Sequence, residues 1–548
     1  MTRSTLLRAA GLLAALFVLN AALSFHNVWP TPGVTLRREV SVEIALLVLA
    51  LAAFGRRAAG SRAAASWIAA ALLLWTLARY AEVTAPALYG RGINLYWDSR
   101  HAGAVLGMLA RVVPAWQLLL GAAGAATLLV VLWWLLRACT LQLATALHPV
   151  PSAAAIPRGA RRTLAGAACL LVLLFSADRA LDWRVPGLYF STPVAQTWSR
   201  QVALVAGSLR GGGESGVGAA PLPASSLGAA AGADVFVVFV ESYGAVAFEQ
   251  PAIQSRLAAS RARLERAASG SGRQVVSAYV TSTTFGGNSW LAHASLLSGV
   301  PVRDPDDYAR LLVQKRESLT DRFRAGGYRI LALMPGLRQK WPEGQFYRFD
   351  TITDAARLEY RGPEFGWWRI PDQFALARFD QLEDALPEES GSLPRFVFVT
   401  TISSHMPFRP TPPYQPDWDR MTGGEPYDAP VLRAALAQAP EWADLRPAYA
   451  ESIAYAQDSL AGYLQRHSGR PLVMVVLGDH QPPAVVSGEG ASWNVPVHII
   501  TDRPAILTAL RANGFVDGIH PAGRSSGSLH ELGAVLLRAL DTSVDAAR

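Results

Sequence analysis

The chain has 548 residues, 51% of them hydrophobic and 17% charged, with a formal net charge of +8 and a mean hydropathy of +0.21. It is too apolar for a wholly soluble protein and too charged for a wholly membrane-embedded one, so two parts are predicted. The positive charge does not read as nucleic-acid binding, because many arginines flank apolar spans and no basic stripe interleaved with aromatics occurs.

Five apolar segments, at 9–25, 40–55, 63–78, 112–136 and 163–177, predict five membrane helices within residues 1–178. Crossing a hydrocarbon core takes about 20 residues, so the fourth spans comfortably and the second, third and fifth need their borders. The second carries Glu43. Starting inside places Arg3, Arg8, Arg56, Arg57, Arg62, Arg137, Arg158, Arg161 and Arg162 in the cytoplasm, in short loops. Arg37, Arg38, Arg79, Arg91, Arg100 and Arg111 fall on the other side, spread over longer loops. An odd number of spans then exports everything after Arg179. A basic start before an apolar stretch also has the form of a cleaved signal peptide, but four further spans follow, and an anchor is expected. Within the loop from 80 to 111, INLYWDSRHAGAVLGML reads equally as an interfacial helix anchored by Tyr96 and Trp97 or as an ordered loop.

Residues 179–232 predict a juxtamembrane helix followed by a Gly-, Ala-, Ser- and Pro-rich flexible linker from 211 to 232. Residues 233–548 then alternate strands and helices. The short apolar runs DVFVVFV, VVSAYV, YRILALM, RFVFVTT, LVMVVLG and NVPVHII suit strands buried on both faces of a mainly parallel sheet. Helical stretches such as SLTDRFRAGG and AYAESIAYAQDSLAGYLQRH separate them. An α/β sandwich is expected. Cys139 and Cys169 both lie in the apolar third, so this part has no thiol for a disulfide or a metal.

In such sheets ligands bind beyond the carboxyl ends of the strands. Glu241 directly follows VFVVFV, Asp479 and His480 directly follow VMVVLG, and His405 comes shortly after FVFVTT. Singly, an acid after a strand is as readily a helix cap, and Gly-Asp-His a turn. Two carboxylates and an imidazole delivered to one sheet edge make a site for a hard-to-borderline metal. Ser289 offers a further ligand: Gly286 and Gly287 predict a turn, and Ser289 opens a helix whose positive end also suits a phosphate. A serine hydroxyl bound to a divalent ion becomes a nucleophile at neutral pH.

These residues sit in VESYG, NSWLAHASLLSG, SSHMPF and LGDH. With them the chain resembles the sulfatase-like branch of the alkaline phosphatase superfamily, and within it the five-span bacterial phosphoglycerol and phosphoethanolamine transferases of the lipoteichoic acid synthase type. The resemblance implies one divalent ion, manganese or zinc, on Glu241, Ser289, Asp479 and His480. It implies Ser289 as nucleophile and His405 as a contact to the substrate phosphate. The nucleophile of the five-span enzymes is usually threonine, and here it is serine. Where formylglycine sulfatases have Pro and Arg after the nucleophile, this chain has Leu291 and His293. His293 lies one helical turn from Ser289 and either takes the arginine's role beside the substrate or packs the helix. A histidine of lipoteichoic acid synthase is Met334 here, while the tryptophan seven residues on is kept as Trp341. Arg338 and Lys340 in the same loop are candidates to hold a phosphate or to be simply solvated. The missing cysteines favour a glucan or teichoic acid type over a lipid A type. Trp367, Trp368 and Asp372, in EFGWWRIPD, resemble a family segment near the site mouth without a catalytic role.

The expected function is transfer of a phospho-head group from a membrane phospholipid donor to an envelope glycan or lipid acceptor. Phosphoglycerol comes first and phosphoethanolamine second. A sulfatase-like hydrolase or phosphodiesterase and a catalytically silent lipid sensor are the alternatives; the retained ligands argue against the sensor.

Overall fold

The computed structural model describes residues 3–29, 31–54, 61–90, 92–148, 157–181, 185–209, 220–366, 368–386 and 393–541. Two compact units divide the chain near residue 210.

The first unit is helical: α1 (Arg3–Ser24), α2 (Val42–Phe54), α3 (Arg62–Tyr89), α4 (Leu95–Val112), α5 (Ala115–Leu147), α6 (Arg158–Leu181) and α7 (Val194–Leu209), with a hairpin of β1 (His26–Asn27) and β2 (Val34–Thr35). Among the described residues, four helices (α1, α3, α5 and α6) are long and apolar enough to cross a membrane. The expected second span is the 13-residue helix α2, about 20 Å long and short of a hydrocarbon core of about 30 Å. Residues 55–60, which follow it, lie outside the described residues. Leu19, Val48, Leu72, Leu136 and Leu143 meet in the core of this unit. On α5, Leu119, Leu120, Leu128 and Trp134 point outward instead, as on a helix facing lipid.

Three details differ from or sharpen the sequence reading. α3 runs to Tyr89, so Arg79 is not in a loop; it is buried, and its Nε donates to Phe25 O at 2.9 Å. The stretch after 93 forms the helix α4 rather than a loop. Glu43 is buried, and its Oε1 accepts the Val194 N–H at 2.6 Å. A carboxylate at the positive end of α7 both fills an orphan donor and complements the helix dipole.

The second unit is built on β3 (Asp234–Val240), β4 (Gln274–Thr281), β5 (Arg329–Met334), β6 (Thr351–Asp354), β7 (Arg395–Thr400), β8 (Leu472–Gly478), β9 (Asn494–Thr501) and β10 (Val516–Asp517), in the order β10-β4-β9-β8-β3-β7-β5-β6. The ladder from β8 to β6 is parallel throughout. β9 runs against both β8 and β4, and β10 against β4, so the other edge is antiparallel. The six expected strands form, and β6 and β10 are additional edge strands.

Side chains alternate across β3: Phe236, Val238 and Val240 enter one core, Val235, Val237 and Phe239 the other. That two-sided burial is why the run is continuously apolar. Helices α8 (Pro251–Gly270), α10 (Asp372–Asp384) and α11 (Arg446–Arg466) cover the first face, and α9 (Ser289–Ser298) and α12 (Leu529–Ala539) the second. Residues 211–219 of the expected linker lie outside the described residues; beyond them Leu222 and Leu227 are buried in the second core, so that part of the segment belongs to the fold.

Candidate active site and metal centre

Parallel pairing places the strand ends together. Val240 is paired with Gly478 in the β3–β8 register, so Glu241 and Asp479 leave adjacent strands side by side. On the other flank of β3, Thr401 N donates to Phe239 O at 2.9 Å and begins the turn that carries His405. The motif glycines permit close approach of the two loops. A Cβ on Gly478 would lie 1.7 Å from Tyr243 O, and one on Gly244 would lie 1.9 Å from Gln481 Oε1. The fourth strand end, after β4, leads through Gly286 and Gly287 to Asn288 at φ 62°, and α9 begins at Ser289. Gly299 at φ 69° ends that helix in the left-handed turn that glycine favours.

Ser289 Oγ donates to Glu241 Oε2 at 2.8 Å and lies 3.1 Å from His480 Nε2. His480 Nδ1 is 2.8 Å from Gln481 O; a carbonyl there requires Nδ1–H, which leaves the Nε2 lone pair toward Ser289. His480 Nε2 is 3.5 Å from Glu241 Oε1 and 3.8 Å from Asp479 Oδ2. Asp479 Oδ1 accepts the N–H groups of Ser242 at 2.8 Å and His480 at 2.7 Å. Ser242 Oγ donates to Glu241 Oε1 at 2.9 Å, and Ser404 Oγ holds Glu241 O at 2.6 Å.

The residues fit a cation. One ligand atom each of Glu241, Asp479 and His480 lies within 4.8 Å of the others. Asp479 Oδ2 is buried with no hydrogen-bond partner among the described residues. Neither carboxylate forms an ion pair with Arg or Lys among the described residues, although they are only 6% and 1% exposed. Buried charge of this kind is stable only with a counter-charge. Burial raises the Asp479 carboxyl well above its ordinary range, and the Glu241 charge raises it further. Burial also opposes ionisation of Glu241, but attraction to His405 and His480 and the Ser289 hydrogen bond outweigh it and hold that group at about 2.

His405 is thus within electrostatic reach of Glu241, and its Nδ1 is 2.8 Å from Met406 O. His293 packs on the rings of Phe239 and Phe398, with centroids 4.5 and 5.6 Å away. Burial lowers its pKa to about 3, so it is a neutral imidazole and brings no positive charge in place of the sulfatase arginine. Trp341 stacks on Tyr347 at 5.7 Å. Arg338 and Lys340 are exposed in the loop after β5. Trp367 lies outside the described residues; Trp368 is buried.

One supporting residue, Ser242, escaped sequence reasoning, and a second, Asp372, is marked in the sequence only as part of EFGWWRIPD near the site mouth, without this role. Ser242, at φ 59°, bridges the two carboxylates, and its carbonyl accepts from Tyr449 Oη at 3.0 Å. Its position directly after Glu241 was the available signal. Asp372, the first residue of α10, accepts Ile402 N at 2.7 Å and Ser403 N at 3.1 Å, clamping the turn that carries His405. No spacing in the chain announces that contact.

A sulfatase family model matches residues 234–517. Among solved structures, the chain is similar to the lipoteichoic acid synthase LtaP from Listeria monocytogenes, at 15% identity over 58% of this chain and 75% of that one, with a TM-score of 0.38. It is similar to the Streptococcus pyogenes phosphoglycerol transferase GacH in complex with sn-glycerol-1-phosphate, at 12% identity, 57% and 76% coverage and a TM-score of 0.36. It is also similar to the C-terminal periplasmic domain of EcEptC from Escherichia coli in complex with Zn, at 12% identity, 52% and 76% coverage and a TM-score of 0.32. No curated protein sequence matches it.

Proposed function

The chain belongs to the sulfatase family, as an enzyme of the alkaline phosphatase superfamily, and on that footing we propose that it transfers a phospho-head group from a membrane phospholipid to an envelope glycan or lipid. Phosphoglycerol is the first choice of head group and phosphoethanolamine the second. The observation that carries this reading is Ser289 Oγ, 2.8 Å from Glu241 Oε2 and 3.1 Å from His480 Nε2, beside Asp479 Oδ2, which has no hydrogen-bond partner among the described residues.

Glu241, Ser289, Asp479 and His480 hold the divalent ion, manganese or zinc. When bound, it supplies Lewis-acid charge to the phosphoryl oxygens and lowers the pKa of the nucleophile. Ser289 Oγ attacks phosphorus, and the bond to the diacylglycerol oxygen breaks; the proton lost by the serine is matched by the one that oxygen gains. The head group is then a phosphodiester on Ser289. An acceptor hydroxyl attacks the same phosphorus, loses its proton, and Ser289 leaves with a proton restored. His405 lies beside Glu241 and contacts the phosphoryl oxygens. Asp372 and Ser404 keep the His405 turn and Glu241 in place, and Trp341, Arg338 and Lys340 frame the head group. A membrane anchor suits a donor that is itself a lipid, and with α2 counted as a fifth span beside the four long apolar helices, a cytoplasmic start would put the catalytic unit on the outer side of the inner membrane.

The test is purified full-length protein given phosphatidylglycerol or phosphatidylethanolamine with manganese or zinc. Release of diacylglycerol from one of them, faster than cleavage of an aryl sulfate, is expected. Preference for the aryl sulfate, or no lipid turnover in any of the four combinations, overturns the transferase reading.

A further inference from the structure

The turn that presents Ser289 carries an amide that the fold does not use. Gly286, Gly287 and Asn288 take φ values of 66°, 146° and 62° in succession. Glycine is the default at such angles, having no Cβ to clash. The chain uses it twice and then places Asn directly before the nucleophile. Asn tolerates the left-handed region, yet a third glycine would hold the turn at least as well.

An Asn at a helix N-cap ordinarily adopts β-region backbone and accepts an N–H of the first turn. Asn288 sits at φ 62° and ψ 40° and makes no such bond to α9. Among the described residues its amide has no other partner, and neither amide atom is enclosed. Residues 286–290 are all half-buried, and a Cβ on Gly287 would meet nothing within 4 Å, so the turn is open to solvent. The N–H groups of Ser289 and Trp290 have no acceptor among the described residues either, as expected in the first turn of a helix. Consecutive Cα atoms are about 3.8 Å apart, and an Asn amide extends a similar distance, so Asn288 can reach a group joined to Ser289 Oγ.

The chemistry leaves a place for it. Attack by Ser289 Oγ on phosphorus raises negative charge on the non-bridging oxygens, and donors held ready there lower the barrier. His293, where formylglycine sulfatases have arginine, is a neutral imidazole packed on Phe239 and Phe398. Among the described residues, no Arg or Lys pairs with Glu241 or Asp479. An amide N–H beside the nucleophile is a donor that glycine at 288 could not supply.

We propose that Asn288 is a catalytic residue whose Nδ2–H donates to a non-bridging oxygen of the phosphoryl group that Ser289 attacks. This deepens the proposed transfer reaction and rests on Ser289 as its nucleophile. The amide neither gains nor loses a proton, so the balance of both half-reactions is unchanged.

The test uses full-length, manganese-loaded protein as wild type, Asn288→Gly and Asn288→Asp. Gly suits φ 62° without strain and removes only the amide, so this variant keeps the turn and the fold. Asp keeps the size and replaces the donor by a carboxylate facing the phosphoryl oxygens. One readout is diacylglycerol release from phosphatidylglycerol or phosphatidylethanolamine. The other, which needs no turnover, is the affinity for glycerol 1-phosphate or phosphoethanolamine by titration calorimetry. Asn288→Gly should lower kcat/KM about 100-fold and the affinity about tenfold, the loss expected of one hydrogen bond to a charged group. Asn288→Asp should lower both further, with bound manganese equal in all three proteins. A wild type that binds a phospho-ligand without turning over lipid refutes the transfer reading, and a weaker affinity in the Gly variant then still supports the amide's role. An affinity that does not fall in Asn288→Gly, an Asp variant equal to wild type, or a wild type that binds neither ligand overturns the proposal.

Discussion

Replacing Asp479 by Asn separates the metal site from the fold. Asp479 Oδ1 accepts two backbone N–H groups at 2.8 and 2.7 Å, and an Asn carbonyl can accept both. The unpartnered Oδ2 becomes an amide that can donate toward Glu241. Two carboxylates whose ligand atoms are no more than 4.8 Å apart repel by about 3.5 kcal/mol at an effective dielectric near 20. Over roughly 320 residues, at about 2.1 cal/mol/K of unfolding entropy per residue, that is about 5 °C in melting temperature. The Asp479 pKa is raised in the folded protein. Its favourable contribution is therefore fully present below the unfolded value of about 3.8 and is lost as pH rises toward the folded value. In EDTA, Asp479→Asn should melt above wild type by about this margin, with the gap opening as pH rises from about 4. With manganese or zinc at about 1,000 times its Kd, wild type gains about 4 kcal/mol and the order reverses. Thermal melts of full-length protein, followed by tryptophan fluorescence with and without metal, read both halves. An Asn variant less stable than wild type in EDTA, and stabilised by metal as much as wild type, would refute the assignment of Asp479 as a ligand.

Ser289→Ala should abolish diacylglycerol release without changing the melting temperature, whereas Ser289→Thr should retain measurable turnover, because the same hydroxyl is presented at the start of α9. Burial raises Asp372 to about 6, against an unfolded value near 3.8, so this carboxylate removes about 3 kcal/mol of stability as pH rises from about 4 through 6. In Asp372→Asn that pH-dependent loss should disappear from melts, while kcat falls because Ile402 and Ser403 lose a charged acceptor. Arg338→Ala and Lys340→Ala, both at exposed positions, should raise KM for an anionic donor, less so at high salt, and leave the melting temperature within about 1 °C.

How much was legible in the sequence follows from burial. β3 and β8 are covered on both faces, so their continuous apolar runs read directly, and the polar residues at their ends were the natural site candidates. Burial does not encode direction. The runs at 275–280 and 494–500 look like parallel strands, yet β4 and β9 pair antiparallel. The edge strands Thr351–Asp354 and Val516–Asp517 are too short and mixed to register. Arg79 suggested the end of a span, but the helix continues past it because Phe25 O and Glu82 take up its guanidinium. Asp372 acts across some 30 residues of chain on backbone N–H groups, which leave no trace in residue type. Ser242 works through a positive φ, equally invisible in a serine.

The most direct measurement of the account is mass spectrometry of the Ser289 peptide from full-length enzyme. The metal-loaded protein is given phosphatidylglycerol or phosphatidylethanolamine without acceptor and quenched in acid. The expected result is a head-group phosphodiester on Ser289, absent from Ser289→Ala and formed in step with diacylglycerol. Sustained lipid turnover with an unmodified Ser289 peptide, or with undiminished rate in Ser289→Ala, would contradict it.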